Sequence, residues 1–518
     1  MTSPALSHPL PTYRDTATRR AAAAANAVLL VPALVTFLAH LLVAWNYGYF
    51  RDELYDIDAG RHLSLGYVDF PLFTALLAAL AGHTLGYAPV ALHVAPALAG
   101  ALVVLLTGLI ARELGGGRFA QGLAATAALT ADIFLAIDSI FSMDPWDELW
   151  WVLGAYIVVR LLKRGEPRLW LLFGLVAGLG LLTKLTFLSF GAALTVGLLL
   201  TPTRAHLRTR WPWLAAGIAL VGLLPYVLWN AANGWPTIAF WSHYGQHADR
   251  VSPVGFFLQQ AILMNALTLP LWLAGLYYYL FTRDGRRYRP VGVAFVTLYV
   301  AFTLTHAKVY FLAPAYPPLF AAGALVVERR LATRPWRLLR LPYAALLVLV
   351  GLLLVPFAMP VLPPATYARY YGFLKGGGSG TTLPQWLADR FGWSAMTAAV
   401  AHVYDGLPAA ERARACILTV NYGEAGALNF FGPAYHLPRA ISGHNTYYLW
   451  GPGACNGATV IAIGYPGWYL QRSFGVVTAA ARRTCASCMP EEANVVVYVC
   501  HRPRSAFKDL WPGFKHYD

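Results

Sequence analysis

The residues most able to do chemistry lie directly after the first long apolar segment of the chain. That segment runs from about Ala22 to Trp45, and the residues behind it include the run Phe50-Arg-Asp-Glu-Leu-Tyr55. Five carboxylates lie between Asp52 and Asp69, in a chain of which only 12% is charged. Ionisable groups at a membrane boundary are costly to desolvate, so such a cluster indicates function. We therefore expect this cluster to mark an active site.

A second acidic segment, Ser142-Met-Asp144-Pro-Trp-Asp-Glu148, follows a later apolar run. If both segments lie on one face of the protein, they would share a cavity. The segment also has the pattern of a helix start, because Asp144 precedes a proline and two more acids follow in the first turn. Both interpretations of Asp144 stay open. The segment from Glu53 to His62 favours a short helix that runs along the surface.

The composition indicates a membrane protein. Hydrophobic residues make up 58% of the chain, and the mean hydropathy is +0.51. Between residues 22 and 360, apolar runs of about 18 to 25 residues recur, which is the length that spans a bilayer as a helix. They lack the alternation of an outer-membrane barrel. We therefore expect an α-helical polytopic membrane protein.

The net charge of +15 alone would suggest binding to nucleic acid, but the distribution of the basic residues argues against it. Basic clusters alternate with loops that carry acids, aromatic residues or histidine. By the positive-inside rule, the basic loops face the cytoplasm. This alternation predicts about eleven transmembrane helices, with the amino terminus inside and the region after Pro360 outside.

The carboxyl-terminal region has a different character from the rest. Gly376-Gly-Gly-Ser-Gly380 is typical of a flexible joint. After it come three short β-rich runs and a helix-favouring segment, which together predict a small α/β domain. The runs are Ala415–Val420, Ala458–Ile463 and Asn494–Val499, and the helical segment is Glu424–Phe431. The predicted domains are therefore 1–365 in the membrane and 366–518 outside the cytoplasm.

All five cysteines fall in this region: Cys416, Cys455, Cys485, Cys488 and Cys500. Disulfides persist on the oxidising side of a membrane, which agrees with the predicted topology. An odd number leaves at least one cysteine unpaired, and the sequence does not determine the pairing. For Cys485-Ala-Ser-Cys488 a structural disulfide is favoured over a redox or zinc pair, because no second pair or histidine spacing accompanies it.

Several motifs resemble one known family. They are Phe50-Arg-Asp-Glu-Leu-Tyr55, Gly66-Tyr-Val-Asp-Phe-Pro71, Phe141-Ser-Met-Asp144, Asn421-Tyr-Gly-Glu-Ala-Gly-Ala-Leu-Asn-Phe430 and Ile441-Ser-Gly-His-Asn445. Together they resemble bacterial members of the protein mannosyltransferase-like (PMT-type) membrane glycosyltransferases. That family includes the dolichyl-phosphate-mannose protein mannosyltransferases and, more distantly, the aminoarabinose transferase of lipid A.

The resemblance implies a C-type glycosyltransferase fold in the cytoplasmic (inner) membrane and a sugar donor carried on a polyprenyl phosphate. It also implies that the acidic residue of the first external loop, Asp52, is the catalytic base of an inverting reaction. Chemistry agrees with this role, since a base must lie within hydrogen-bond reach of the acceptor hydroxyl. Protein Ser/Thr, a lipid glycan and a cell-wall polysaccharide all remain open as acceptors.

Three cations are candidates for binding the donor phosphate, which gains negative charge as the glycosidic bond breaks. Lys184 is a lone cation deep in an apolar segment, and Lys308 lies in a loop whose Lys-x-Tyr followed by Pro resembles a family loop near the donor phosphate. Arg51 sits beside the predicted base. The alternatives are that the lysines snorkel to the interface and that Arg51 only pairs with a carboxylate.

Six further residues are candidate substrate-binding residues: Glu53, Asp69, Asp144, Tyr310, His444 and Asn445. Asp69 either binds sugar hydroxyls or holds its loop, and the tail residues could equally be turn or capping groups. No metal ligands are assigned. A divalent metal ion is compatible with the carboxylates, but the spacing of His62, His243 and His247 does not support one.

The main alternative function is a flippase for polyprenyl-linked sugars or another membrane transporter. Transporters place charges near the bilayer midplane and often show internal repeats. Here most carboxylates lie in loops at one face, and the sequence shows no repeat, so the transferase is favoured. The expected partners are a polyprenyl-linked sugar, an acceptor and membrane lipids, without nucleic acid.

Overall fold

A computed structural model describes residues 13–246, 250–333, 335–374 and 383–518. The predicted joint Gly376–Gly380 and His247 lie outside these ranges. The predicted boundary between residues 365 and 366 stays a prediction.

The described chain is mostly helical. The α-helices, in chain order, are α1 (Tyr13–Val43), α2 (Arg51–Arg61), α3 (Phe73–Thr84), α4 (Pro89–Glu113), α5 (Arg118–Leu129), α6 (Asp132–Ile137), α7 (Asp144–Arg164), α8 (Leu169–Thr183), α9 (Phe187–Leu199), α10 (Trp211–Ala232), α11 (Pro236–Gln246), α12 (Pro253–Leu263), α13 (Leu269–Phe281), α14 (Arg289–Leu304), α15 (Pro317–Arg330), α16 (Arg340–Ala358), α17 (Pro364–Leu374), α18 (Gln385–Ala388), α19 (Trp393–Asp405), α20 (Ala409–Arg412), α21 (Tyr422–Phe431), α22 (Asn445–Trp450), α23 (Gly467–Ser473), α24 (Pro490–Ala493) and α25 (Phe507–Leu510). Short 3₁₀ helices occupy Pro202–Arg208, Ala266–Thr268, Arg286–Tyr288, Val309–Ala315, Trp336–Leu339, Gly432–Tyr435 and Trp511–Phe514.

Several helices are suited to crossing a membrane. Within the described ranges, four are long and apolar enough: Asn26–Val43, Pro89–Glu113, Trp211–Ala232 and Trp336–Ala358. The number rises to seven if each of three bent helix pairs counts as one span. Helices α3 and α8 are apolar but shorter. The predicted count of eleven is therefore not confirmed, because several apolar segments form short or bent helices.

The helices before the carboxyl-terminal region pack against both sequence neighbours and more distant helices. Helix α4 packs against α1, α5 and α7, helix α8 packs against α10, and α13 packs against α15. The largest buried cluster contains fully buried aromatic side chains such as Trp151, Tyr316 and Phe320. These contacts place the ends of α7 and α8 beside the first turn of the 3₁₀ helix Val309–Ala315.

The carboxyl-terminal region contains a five-stranded sheet. Its strands are β1 (Cys416–Thr419), β2 (Ala440–Ser442), β3 (Thr459–Ile463), β4 (Phe474–Thr484) and β5 (Asn494–Pro503). Their order is β2-β1-β3-β5-β4; β1 is parallel to β2 and β3, and β5 is antiparallel to β3 and β4. The sequence predicts β1, β3, β5 and the helix α21. It misses β2, which has three residues, and β4, most of whose residues are exposed.

Two disulfides link parts of this region. Cys416 pairs with Cys455, and Cys485 pairs with Cys488. The sequence favours the second of these disulfides. Cys500 is a free thiol buried in the sheet. The odd cysteine is therefore enclosed by apolar side chains.

The first turn of α2 is anchored by Glu53, whose side chain is fully buried. One carboxylate oxygen, Oε2, accepts the backbone N–H of Phe50 at 2.9 Å. The other, Oε1, accepts the backbone N–H of Phe141 at 2.8 Å and the ring N–H of His93 at 2.6 Å. Glu53 thereby ties α2 to α4 and to the segment before α7. This geometry favours a structural role for Glu53 over the substrate contact expected from the sequence.

We expect Glu53→Ala to destabilise the protein by about 3–5 kcal/mol, because it leaves several buried donors without an acceptor. Thermal unfolding of the purified protein in detergent measures this. Asp284→Ala is the control: it breaks the exposed pair with Arg329 (2.7 Å), so a change of about 0–1 kcal/mol is expected. Equal melting of the two variants would contradict the anchoring role.

Candidate active site

Asp52 is the second residue of α2 and is partly exposed. Its Oδ1 accepts the hydroxyl hydrogen of Tyr422 at 2.7 Å. Among the described residues, Oδ2 accepts no hydrogen bond. One oxygen of Asp52 is therefore fixed by the protein, and the other is available to a substrate hydroxyl.

Lys184 and Lys308 both lie near the ring of one tyrosine. Lys184 follows the end of α8, is 7% exposed, and forms an ion pair with Asp144 at the start of α7. Its ammonium lies 5.2 Å from the ring centroid of Tyr310 and 4.6 Å from that of Phe311. The Lys308 ammonium lies 5.8 Å from the Tyr310 ring centroid. Tyr310 thus bridges the two lysines by cation–π contacts.

The charged groups Arg51, Asp52, Asp144, Lys184 and Lys308 lie near one another in the folded protein, and we call this cluster the mouth. Lys308 lies within electrostatic reach of Lys184, Asp144, Asp52 and Arg51. The four neighbours of Lys308 come from three separate segments of the chain. Only the folded protein therefore brings them together. Chemically, the mouth combines an available carboxylate with several cations, which suits a reaction that removes a proton and releases an anion.

Arg51 connects α2 to the carboxyl-terminal region. Its guanidinium lies 3.3 Å from Oδ2 of Asp389 and its Cζ lies 5.5 Å from the Tyr422 ring centroid. Asp389 is fully buried, and burial raises its pKa to about 7 although the positive charge of Arg51 opposes the rise. Arg51 thus has a structural partner in addition to its place near Asp52.

Asp69 faces the same mouth from the loop between α2 and α3. Its Oδ1 lies 3.0 Å from the Tyr55 hydroxyl, and its Oδ2 accepts from the side-chain amide of Asn445 at 3.4 Å. Burial raises the pKa of Asp69 to about 7, while the Tyr55 hydrogen bond lowers it. Asp56 lies close by. Its burial raises its pKa well above the ordinary value, and the charges of Asp52 and Asp69 raise it further. Two of the acids around Asp52 therefore bind protons more readily than ordinary carboxyls.

His444 and Asn445 hold the carboxyl-terminal region in place. Nδ1 of His444 accepts the backbone N–H of Tyr422 at 3.3 Å, and its Nε2 lies 2.7 Å from Oδ1 of Asp518. Asn445 is fully buried, and its amide nitrogen lies between Asp69 and Asp518. Both residues therefore support the site through other residues rather than from within its mouth.

His444, His516 and Asp518 are close enough together to be considered as metal ligands. However, Nδ1 of His444 already accepts a hydrogen bond, so Nε2 carries the ring proton and donates it to Asp518. The pair is satisfied without an ion. His62 lies elsewhere, where its Nδ1 is 3.1 Å from a guanidinium nitrogen of Arg439.

Sequence reasoning misses three of the contacts that build the site. It does not predict the hydrogen bond from Tyr422 to Asp52, the pairing of Asp389 with Arg51, or the contact of Arg390 with Ser139 (2.6 Å to the carbonyl oxygen). The adjacent charges Asp389 and Arg390 stand out in an otherwise apolar stretch, which is a signal for burial or pairing. This signal does not identify the partners of Asp389 and Arg390.

Comparisons with known proteins agree with this architecture. Residues 69–229 match the family model described as dolichyl-phosphate-mannose-protein mannosyltransferase. The crystal structure of ArnT from Cupriavidus metallidurans in the apo state matches with a TM-score of 0.57 at 15% identity, over 90% of this chain and 97% of that one. The Archaeoglobus fulgidus oligosaccharyltransferase, tethered to an acceptor peptide, matches with a TM-score of 0.51 at 14% identity, over 80% and 64%.

No curated protein matches the sequence. At identities this low, the two structural likenesses show the fold. With the family match, they confirm the resemblance to PMT-type membrane glycosyltransferases that the sequence motifs predict.

The buried pair of Arg51 and Asp389 predicts a pH-dependent defect. The pKa of the Asp389 carboxyl rises from its ordinary value of 3.8 to about 7 in the folded protein. Ionising Asp389 therefore costs stability as the pH rises between these two values. Removing Arg51 raises the pKa of Asp389 in the folded protein further, so the cost of ionising Asp389 keeps growing above neutral pH. We expect the loss of melting temperature in Arg51→Met to be larger at about pH 8 than at about pH 5, where Asp389 is protonated in both proteins.

Arg412→Met is the control, because its partner Asp405 is exposed and the pair spans 3.8 Å. Its melting temperature should differ from that of the unmodified protein by the same small amount at both pH values. A loss in Arg51→Met that does not change with pH would contradict the assigned pairing.

Proposed function

We propose that this protein transfers a sugar from a polyprenyl-phosphate donor to an acceptor hydroxyl at the outer face of the cytoplasmic membrane, with inversion at the anomeric carbon. The observation that carries the proposal is the position of Asp52, whose Oδ2 is available at a mouth that also holds Lys184 and Lys308. The family match over residues 69–229 and the shared fold support the same reaction class.

In the proposed reaction, the acceptor oxygen attacks the anomeric carbon while the bond from that carbon to the phosphate oxygen breaks. Oδ2 of Asp52 takes the acceptor proton, which makes the oxygen a better nucleophile. The bonding electrons leave with the polyprenyl phosphate. Lys184, Lys308 and Arg51 offset the negative charge that develops on its oxygens.

A small apolar cavity between the helices is a candidate site for part of the prenyl chain. It is lined by α7, α9, α14 and the 3₁₀ helix Val309–Ala315, through residues such as Val158, Leu194, Leu298 and Pro314. The same 3₁₀ helix carries Tyr310 beside the two lysines. A prenyl chain between these helices would keep its hydrocarbon out of water.

The carboxyl-terminal region lies on the same face as Asp52, because α21 packs on α2. In the proposed orientation this region is extracytoplasmic, as the charge pattern of the loops predicts. It borders the mouth through Tyr422 and would contact the acceptor. Protein hydroxyls, lipid glycans and cell-wall polysaccharides are the acceptor classes to be compared.

Asp52→Asn should lower the rate of sugar transfer by roughly 10²- to 10⁴-fold while donor binding is retained, since the amide cannot accept the proton. The assay supplies a labelled polyprenyl-phosphate sugar and a panel of hydroxyl acceptors to the purified protein in liposomes. Asp405→Asn, at an exposed site of the carboxyl-terminal region, is the control and should retain full activity.

The same liposomes separate transferase from flippase. If the protein moves labelled lipid across the bilayer without any transfer product, and Asp52→Asn does so equally well, the transporter alternative replaces the proposal. Full transfer activity in Asp52→Asn would remove Asp52 from the mechanism.

Lys184→Met should weaken binding of polyprenyl phosphate roughly 10- to 100-fold, because a hydrogen bond to a charged group contributes about 1.5–3 kcal/mol. Equilibrium binding of labelled polyprenyl phosphate in detergent measures this, and Lys308→Met tests the second cation. The control is Lys163→Met, whose side chain pairs with Glu113 at 3.2 Å far from the mouth. Unchanged binding in both Lys184→Met and Lys308→Met would place the phosphate elsewhere.

A further inference from the structure

The first turns of α2 and α21 touch without room for side chains between them. A Cβ added at Gly426 would lie 2.8 Å from the carbonyl carbon of Leu54, and one at Gly423 would lie 2.3 Å from Cγ of Arg51. Only glycine permits such a close approach at both positions. The position of α21 over the start of α2 is therefore restricted by backbone contact at Gly426 and by the Arg51 side chain at Gly423.

The start of α21 is itself rigid. The side chain of Asn421 accepts the backbone N–H of Glu424 at 2.8 Å, and the Glu424 carboxylate accepts the backbone N–H of Asn421 at 3.4 Å. This capping box satisfies donors that a helix start otherwise leaves open. Tyr422 follows as the first helical residue, and His444 accepts its backbone N–H.

The ring of Tyr422 is held by three neighbouring groups. It stacks on the ring of Tyr55 with centroids 4.8 Å apart, lies 4.8 Å from the ring of His444, and receives the guanidinium of Arg51 at 5.5 Å. Stacking and cation–π contacts of this kind restrict the orientation of a phenol ring. The hydroxyl is thereby directed at Oδ1 of Asp52, 2.7 Å away.

We propose that Tyr422 is a positioning residue: its hydroxyl holds Oδ1 of Asp52 so that Oδ2 faces the acceptor hydroxyl. The inference rests on the proposed function. Burial, and next to it the charge of Asp52, raise the pKa of Tyr422 well above its ordinary value, so the phenol stays protonated and donates at neutral pH. The carboxyl-terminal region thus supplies part of the active site, and the membrane helices alone do not complete it.

Tyr422→Phe tests the proposal because it removes the hydroxyl and keeps the ring contacts. Misplacing a reacting group by about 1 Å can cost roughly 10²-fold in rate, so we expect kcat to fall roughly 10- to 100-fold. The KM for the polyprenyl-phosphate sugar should stay unchanged, since Tyr422 pairs with the base rather than with the cations that would hold the phosphate.

Tyr447→Phe is a matched control. Tyr447 also stacks on Tyr55, with centroids 5.7 Å apart, and also donates its hydroxyl to a carboxylate of α2, Oδ2 of Asp58 at 2.7 Å. Asp58 is buried and bound by Asn429 as well, away from the mouth. Tyr447→Phe should therefore lower the melting temperature at least as much as Tyr422→Phe while kcat is retained.

The double variant Asp52→Asn with Tyr422→Phe separates positioning from a general structural effect. If Tyr422 acts through Asp52, its loss should cost nothing further once Asp52 is replaced, so the two effects should not add. Full additivity, an unchanged kcat in Tyr422→Phe, or an equal loss of kcat in Tyr447→Phe would each overturn the proposal.

These outcomes are distinct from failure of the proposed function. If Asp52→Asn abolishes transfer and Tyr422→Phe leaves kcat unchanged, the base stands and the positioning role is rejected. If Asp52→Asn remains fully active, the assignment of the base fails, and the role of Tyr422 fails with it.

Discussion

The burial of Glu53 is the constraint on which the geometry of the site depends. Consecutive helical residues point about 100° apart around the axis, so fixing one side chain of a short helix fixes its neighbours. Glu53 is fixed by two backbone N–H groups and one imidazole inside the protein. Asp52 consequently points away from the interior, towards the mouth. The Asp-Glu pair therefore divides two tasks between adjacent residues, with one acid available for chemistry and one acid anchoring the helix.

The charged groups around the mouth show how the protein tolerates so many ions near a membrane. Lys184 pairs with Asp144, and Arg51 pairs with Asp389, so two of the cations have a carboxylate in contact. Burying an unpaired ion costs several kcal/mol, whereas a hydrogen-bonded pair recovers much of that cost. One pair joins the start of α7 to the end of α8, and the other joins α2 to the carboxyl-terminal region. The two ion pairs that neutralise the cations thus also hold together the elements around the site.

Local patterns in the sequence predict much of the fold and of the candidate site. The features predicted in this way depend only on residues that are neighbours in the chain. The membrane character, a helix after the first apolar segment, the start of α7 at Asp144 and three strands of the sheet all follow from local periodicity and capping. The expectation that this helix, α2, runs along the surface is wrong, because α3 and α21 pack on it and bury most of its residues. Lys184 stands out as a lone cation in an apolar segment, and Lys308 stands out because its loop resembles a family loop near the donor phosphate. The structure brings these residues to the same mouth as Asp52.

What could not be predicted depends on contacts between distant residues. The partner of Asp52 lies 370 residues away at Tyr422, and the partners of Glu53 lie 40 and 88 residues away. No local pattern distinguishes an acid that binds substrate from one that anchors a helix, so Glu53 was expected to bind substrate. Strand β4 was missed because its residues are small, charged or exposed and lack an apolar face.

The pairing of Lys184 with Asp144 gives the proposed donor site a further property. Without a substrate, the ammonium is neutralised by the carboxylate, which keeps a nearly buried cation stable. A phosphate entering the mouth would compete with Asp144 for the same ammonium hydrogens. The phosphodiester of the donor has two non-bridging oxygens, as many as a carboxylate, and Lys308 and Tyr310 lie near Lys184, where they would also contact it. The polyprenyl phosphate that is released has three terminal oxygens, so it would bind these groups more strongly. The site would therefore exchange one anion for another when the donor binds, so that a bare cation never has to be exposed to the membrane interior.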